Sequence, residues 1–178
     1  AMTDSALYWI ENSDIDGFRH DATKHIPEIF WRTLTQKARK KLAKNRQHFY
    51  QVGETYGSRE LIASYVSPGM LDAQFDFNVY DDAVACLAQE DVDFSRLLNS
   101  LEESFKYYGH HSLMAYITGN QDRARFISYA SGEVRFDEDA KYAGWTRDIG
   151  NSTPESYERL AMLHALNLAI PGIPGVYY

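Results

Sequence analysis

Five short runs with the alternation of a β-strand recur along this chain, at residues 16–21, 48–53, 71–77, 112–118 and 173–178. Stretches with helical periodicity separate them. A period of two followed by a period of 3.6, repeated in order, is the pattern of strand–crossover–strand units. It predicts an α/β chain with about five parallel strands joined by crossover helices. A closed (β/α)8 barrel takes eight such units and roughly 250 residues. With 178 residues, the chain starts on a helix that has no strand before it and ends on a strand. The expectation is therefore a single domain over 1–178 that forms a partial TIM barrel, truncated at both ends.

The helical stretches carry their own start and stop signals. Thr3 to Ser13 can be capped by Thr3 or Asp4, and Ala6, Leu7 and Ile10 give it an apolar stripe. The segment from Pro27 to about Asn45 repeats Phe30, Leu34, Ala38 and Leu42 at every fourth position. Its end gathers Lys37, Arg39, Lys40, Lys41, Lys44 and Arg46, a solvated basic face that complements the helix dipole. Shorter helices are expected at 58–65, 81–89 and 94–108, and a loop with some helix at 137–151. Thr153-Pro154-Glu155 is a strong helix start, and Pro171-Gly172 stops that helix after Ala169.

Composition narrows the function classes. A net charge of −7 argues against nucleic-acid binding. No run of 18 apolar residues and no signal-peptide pattern is present in these residues, so nothing in them spans or targets a membrane. A secreted, periplasmic or cell-surface setting for a longer parent stays open. The single cysteine, Cys86, excludes an internal disulfide and reads as a small buried hydrophobe. Aromatic residues make up 14% of the chain; they suit sugar-stacking surfaces and ordinary cores alike.

The chemistry sits where strands end. In the first run, alternation puts Arg19 and Asp21 on one face, and a guanidinium two residues from a carboxylate holds that acid ionised. Glu54 follows Asp21 by 33 residues, about one βα unit, and Asp122 follows Glu54 by 68, about two. Taken singly, each is more simply a loop acid or a helix cap. Three acids at unit multiples all fall at the C-terminal ends of strands, the face on which barrels assemble active sites.

The stretch Asp16-Gly17-Phe18-Arg19-His20-Asp21-Ala22-Thr23-Lys24-His25 resembles the second signature region of the α-amylase superfamily, glycoside hydrolase family thirteen. Gly53-Glu54 resembles the third region. Asn120-Gln121-Asp122 with Arg125-Phe126 resembles the fourth, and residues 172–178 look like the eighth barrel strand. The resemblance implies Asp21 as catalytic nucleophile, Glu54 as general acid/base and Asp122 as the acid that binds sugar hydroxyls and stabilises the transition state. It implies substrate-binding roles for Arg19, Lys24, His25, Asn120, Gln121 and Arg125, with Lys24 and His25 on the aglycone side. Gln121 stands where the family usually has His, so it keeps a donor and an acceptor but no charge. The first signature region is not among these residues. The family's calcium site draws on that region, so no cofactor is expected here, although a full-length parent could carry calcium.

These roles imply a retaining α-glucan hydrolase acting by double displacement on starch-like polysaccharide or maltooligosaccharide. A transglycosylase or isomerase of the same superfamily, and a non-catalytic carbohydrate-binding half-barrel, are the alternatives. Exposed sheet edges also suggest a homo-oligomer, and the isolated segment is expected to be poorly active or inactive.

Overall fold

The computed structural model describes residues 2–42, 49–150 and 152–177. Helix and strand alternate along the chain as α1 (Met2–Asn12), β1 (Gly17–His20), α2 (Glu28–Leu42), β2 (Tyr50–Gly53), α3 (Arg59–Ser64), β3 (Ala73–Gln74), α4 (Phe77–Ala88) and α5 (Ser95–Tyr108). They continue as β4 (Ala115–Ile117), α6 (Phe126–Ala130), α7 (Ala140–Thr146), α8 (Pro154–Ala169) and β5 (Ile173–Gly175). The fold is α/β with parallel strands and crossover helices, and the described strands form one three-stranded and one two-stranded sheet rather than a closed barrel. Two compact units divide the chain: Ala1–Phe75 with Tyr107–Ala115, and Asp76–Lys106 with Tyr116–Tyr178.

In the first unit, β1, β2 and β3 lie side by side in sequence order, and both pairings are parallel. The register sets Arg19 opposite Val52 and His20 opposite Gly53. Helix α2 covers the sheet through Trp31, Leu34, Thr35 and Ala38, all buried, at the spacing its sequence implies. Trp31 and Leu34 form a core with Tyr65, Met70 and Leu71, against which Ala6, Ile26 and Phe30 pack. A buried polar chain crosses between sheet and helix. His20 Nε2 meets Gln51 Oε1 at 3.1 Å, Gln51 Nε2 donates to Thr35 Oγ1 at 2.9 Å, and Thr35 Oγ1 donates to the Met70 carbonyl at 2.7 Å. Each member is satisfied, which is the condition under which buried polar groups add specificity rather than cost.

The basic end of α2 does more than face solvent. Lys37 donates to Asp4 at 2.6 Å, Lys41 pairs with Glu11, and Arg39 donates to the Pro68 carbonyl. These contacts tie α1 and the loop after α3 to α2. Lys44 and Arg46 lie outside the described residues, as do residues 43–45 of the expected helix, His48 and Tyr178 of the expected strands, and Asn151.

The third expected strand is shorter than its alternation suggested. Only Ala73 and Gln74 join the ladder, flanked by single parallel bridges Val66–Leu71 and Phe75–Ala115. The reason is Asp76, whose carboxylate accepts from Val79 N at 3.1 Å and starts α4 at Phe77, four residues earlier than the pattern indicated.

The second unit packs α4, α6 and α8 together beside the two-stranded β4–β5 sheet. Val79, Ala83, Val84, Tyr116, Phe126, Val134 and Leu163 are buried there. The capping box of α8 closes as its Thr-Pro-Glu start requires, with Thr153 and Ser156 bonded reciprocally. Helix α7, within the weakly patterned stretch, owes its start to Asp139, which accepts from Lys141 N and Tyr142 N. Cys86 is buried, and burial pushes its thiol pKa up, as a structural cysteine requires.

Candidate active site

The chain leaves β1 through Asp21 and turns on Ala22, which adopts the left-handed conformation (φ 44°, ψ 46°). A non-glycine residue held there costs on the order of 1–3 kcal/mol. The turn continues as a single 3-10 turn, Thr23–His25, before α2 begins. At the neighbouring strand end, Glu54 N donates to the His20 carbonyl at 2.9 Å, so Glu54 is the first residue past β2 still held by the ladder.

This local geometry puts three of the candidate residues in contact. Arg19 Nη1 lies 2.5 Å from Asp21 Oδ1, and Arg19 Nη2 lies 2.6 Å from Glu54 Oε1. One planar guanidinium thus spans both carboxylates, an arrangement its fixed fork of donors allows. The Arg19 hydrogen bond and charge hold the Asp21 carboxyl below the usual carboxylate range, with a smaller contribution from a hydrogen bond to the Glu54 side chain. The two acids differ in setting. The Asp21 side chain is 75% exposed and the Glu54 side chain 14%. Ala22 N also points to Glu54 Oε2, at 3.5 Å.

Behind the acids the strand ends are packed. His20 sits between Phe18 and Trp31, at ring separations of 5.7 and 4.7 Å, and burial lowers its pKa despite the bond to Gln51. Its half-buried place between those rings disfavours the charged form. Lys24 donates to the Tyr56 carbonyl at 2.8 Å, and the Tyr56 ring beside it is exposed. His25 closes the 3-10 turn.

The remaining candidates belong to the second unit. After β4 the chain folds on itself through Asn120, whose Oδ1 accepts from Asp122 N at 3.0 Å, while Gln121 Nε2 lies 3.2 Å from Asp122 Oδ2. All three are at the surface or half-buried. The Arg125 guanidinium stacks over Tyr177, 4.8 Å from the ring centre. Asn120, Arg125, His164 and Tyr177 help line a cavity of about 480 Å3. The motif residues thus form two groups: Arg19, Asp21, Glu54 and Lys24 in the first unit, and Asn120, Gln121, Asp122 and Arg125 in the second.

Two contributors to the first group escape a motif reading. Thr23 is wholly buried and bonded to Glu54 through both backbone and side chain. Tyr56, two residues past Glu54, presents its ring to solvent. The sequence signal for Tyr56 was its adjacency to Gly53-Glu54; none pointed to Thr23. Among the described residues, no cluster of three or more His, Cys, Asp or Glu is arranged to hold a metal ion. No helix among them is long and apolar enough to cross a membrane.

Two carboxylates sharing one guanidinium at adjacent parallel strand ends invite comparison with known proteins. The model of the α-amylase catalytic domain matches residues 1–178. The chain belongs to the α-amylase family. Its members include an α-amylase of Streptomyces lividans, 33% identical over 101 residues that cover 56% of this chain and 11% of that protein. The periplasmic α-amylase of Escherichia coli is 27% identical over 142 residues, covering 71% of the chain and 21% of that enzyme. Among solved structures, the Geobacillus thermoleovorans α-amylase in complex with acarbose superposes with a TM-score of 0.77 at 25% identity, over 99% of this chain and 34% of that one. The chain therefore spans about a tenth and about a fifth of these two curated relatives and about a third of that solved amylase. These relatives are glycoside hydrolases.

Proposed function

We propose that these residues form the catalytic half of a retaining, amylase-like α-glucan hydrolase. The observation that carries this reading is the Arg19 guanidinium shared by Asp21 and Glu54 at the ends of two adjacent parallel strands. It sets a carboxyl held ionised and a second one on the two terminal nitrogens of a single guanidinium. Retaining glycosidases need their carboxyl pair about 5–5.5 Å apart, whereas inverting enzymes leave room for a water at roughly 6.5–9.5 Å. Carboxyls bridged by one guanidinium fit the shorter class.

In the first step an Asp21 carboxylate oxygen attacks the anomeric carbon as the glycosidic bond breaks. Glu54, protonated, gives its proton to the departing oxygen, and a glycosyl ester of Asp21 remains. In the second step Glu54, now a carboxylate, takes a proton from water, whose oxygen displaces Asp21 and frees the sugar. Arg19 stays cationic throughout. It stabilises Asp21 as a leaving group and balances the charge that moves between the two acids. Asp122, following β4, takes the transition-state role that its motif suggests, with Asn120, Gln121 and Arg125 as sugar ligands. Gln121 orients hydroxyls by hydrogen bonds without adding charge. Lys24 and His25 border the leaving-group side.

The substrate class is an α-glucan or maltooligosaccharide, supported by the similar amylase solved with acarbose. No cofactor is expected to be held by these residues, and calcium is expected only in a longer parent that carries the first signature region. Turnover by the 178 residues alone is expected to be low. In the catalytic domain carrying these residues, Asp21→Asn should reduce hydrolysis of maltoheptaose to background. Glu54→Gln should cost about 10²–10⁴-fold and recover on a glycosyl fluoride, whose leaving group needs no proton. NMR of the first product should show the α-anomer; initial release of the β-anomer would sink the retaining reading.

A further inference from the structure

We propose that Thr23 is the positioning residue for the acid/base Glu54, fixing where its carboxyl stands relative to Asp21. The inference rests on the roles assigned above to those two acids. Thr23 grips Glu54 at both backbone groups. Its own N–H donates to the Glu54 carbonyl at 2.9 Å, and its Oγ1 accepts from Glu54 N at 3.0 Å. The Oγ1 proton is directed back to the His20 carbonyl at 3.2 Å, so the hydroxyl serves as donor to β1 and acceptor from the residue after β2. The Thr23 carbonyl is in turn held by Trp31 Nε1 at 3.1 Å, from the centre of the first unit's core.

Thr23 is itself fixed from several sides. It is 0% exposed, and all three of its polar groups are bonded. The left-handed Ala22 places it there: the reversal at Ala22 turns the chain from the Asp21 side chain, which faces solvent, to the Thr23 side chain, which faces Glu54. Nucleophile and clamp are thus two residues apart on one strained turn, and the clamp holds the partner acid.

Such a residue touches neither substrate nor reacting atoms. Its removal should misplace Glu54 and leave Asp21 chemistry intact. In the catalytic domain carrying these residues, Thr23→Val keeps size and branching but removes the hydroxyl. Thr23→Ser keeps the hydroxyl. The expected result for Thr23→Val on maltoheptaose is a fall in kcat of about ten- to a hundredfold, with KM little changed. The limb of the pH profile assigned to the acid should shift. On a glycosyl fluoride the loss should shrink to less than about threefold, because protonation of the leaving group no longer limits the rate. Thr23→Ser should restore the maltoheptaose rate to within about twofold. If Thr23→Val does not fold, Thr23→Ala measured against Thr23→Ser gives the same comparison.

Wild-type kcat and pH profile in the Val or Ala variant would overturn the proposal. So would equal losses on both substrates without rescue by Ser, since that would mean Thr23 only supports the fold. Glu54→Gln, run alongside, separates this from failure of the underlying reading. A Glu54→Gln protein with normal maltoheptaose turnover removes the acid role itself, whatever Thr23 does.

Discussion

Arg19 reaches Glu54 across the β1–β2 ladder at 2.6 Å, nearly as short as its 2.5 Å contact with Asp21 just past the end of its own strand. Lysine could not replace it. An ammonium is a point charge and cannot present two coplanar donors to two carboxylates at once. Arg19→Lys should therefore lower kcat/KM on maltooligosaccharides on the order of a hundredfold while leaving the far-ultraviolet circular dichroism unchanged. Near-normal kcat/KM in that variant would show that the bridge is incidental to catalysis.

The glycine before Glu54 has a steric reason. A Cβ on Gly53 would lie 2.5 Å from Gln74 Nε2, 2.6 Å from Thr23 Oγ1 and 2.7 Å from Leu71 Cδ1. Gln74, Thr23 and Leu71 are fully buried, so none can swing aside into solvent. Gly53→Ala should cost about 1–3 kcal/mol, the usual penalty of overpacking. Urea unfolding of the 178-residue chain measures it; a midpoint shift too small to resolve would mean the strand ends are looser than these contacts imply.

How far the sequence led differs between elements, for identifiable reasons. Alternation located the described strands and fourfold spacing located α2, which buries Leu34 and Ala38 along one face, while α8 was marked by its Thr153-Pro154-Glu155 start and Pro171-Gly172 stop. The Arg19–Asp21 pairing was legible because strand geometry alone sets neighbours two apart on one face. The contact from Arg19 to Glu54 was not, since register between strands is a tertiary property. The end of the third strand was misjudged because Leu71 to Phe77 alternates well, yet Asp76 competes for the backbone as a helix cap. Thr23 looked like any turn threonine, as nothing in a single sequence marks a hydroxyl that bonds a residue 31 positions away.

A second-unit ion pair sets an acid limit. Arg147 grips Glu138 with two nitrogens, at 2.6 and 2.9 Å, and Arg135 N donates to the same carboxylate at 2.7 Å. The Arg147 hydrogen bond, chiefly, lowers the Glu138 pKa from 4.5 to about 2. A carboxylate with a depressed folded-state pKa stabilises fully above its unfolded value and loses that contribution as pH falls through the folded one. Thermal melts should then separate wild type from Glu138→Gln clearly at pH 7, less as pH drops below 4.5, and only slightly near pH 2. Because the pair is at the surface, 1 M salt should shrink the difference at pH 7. A gap as large at pH 2 as at pH 7 would assign the effect to packing instead of charge.

The last prediction concerns the chain on its own. β1 pairs on one side only among the described residues, with β2, and β5 pairs only with β4. Backbone groups on such edges are templates for another strand. Apolar side chains accompany them: on β5 and just beyond it Ile173 and Val176 are exposed, and Leu113 is exposed just before β4. Trp145, 85% exposed, and the Tyr8–Trp9 pair add large apolar surface elsewhere. Pairing edge to edge satisfies the ladder groups and covers Ile173 and Val176 together, whereas a lone chain must leave both to water. The 178 residues should therefore sediment as a dimer or larger assembly at micromolar concentration. Charged substitutions at Ile173 and Val176 should shift them toward monomer. Assembly does not supply the first signature region, so a reducing-sugar assay on the same samples should detect little or no glucan hydrolysis in either state. A stable monomer that hydrolyses maltooligosaccharides at an amylase-like rate would contradict both expectations, since the strand ends described here would then suffice for fold and catalysis alike.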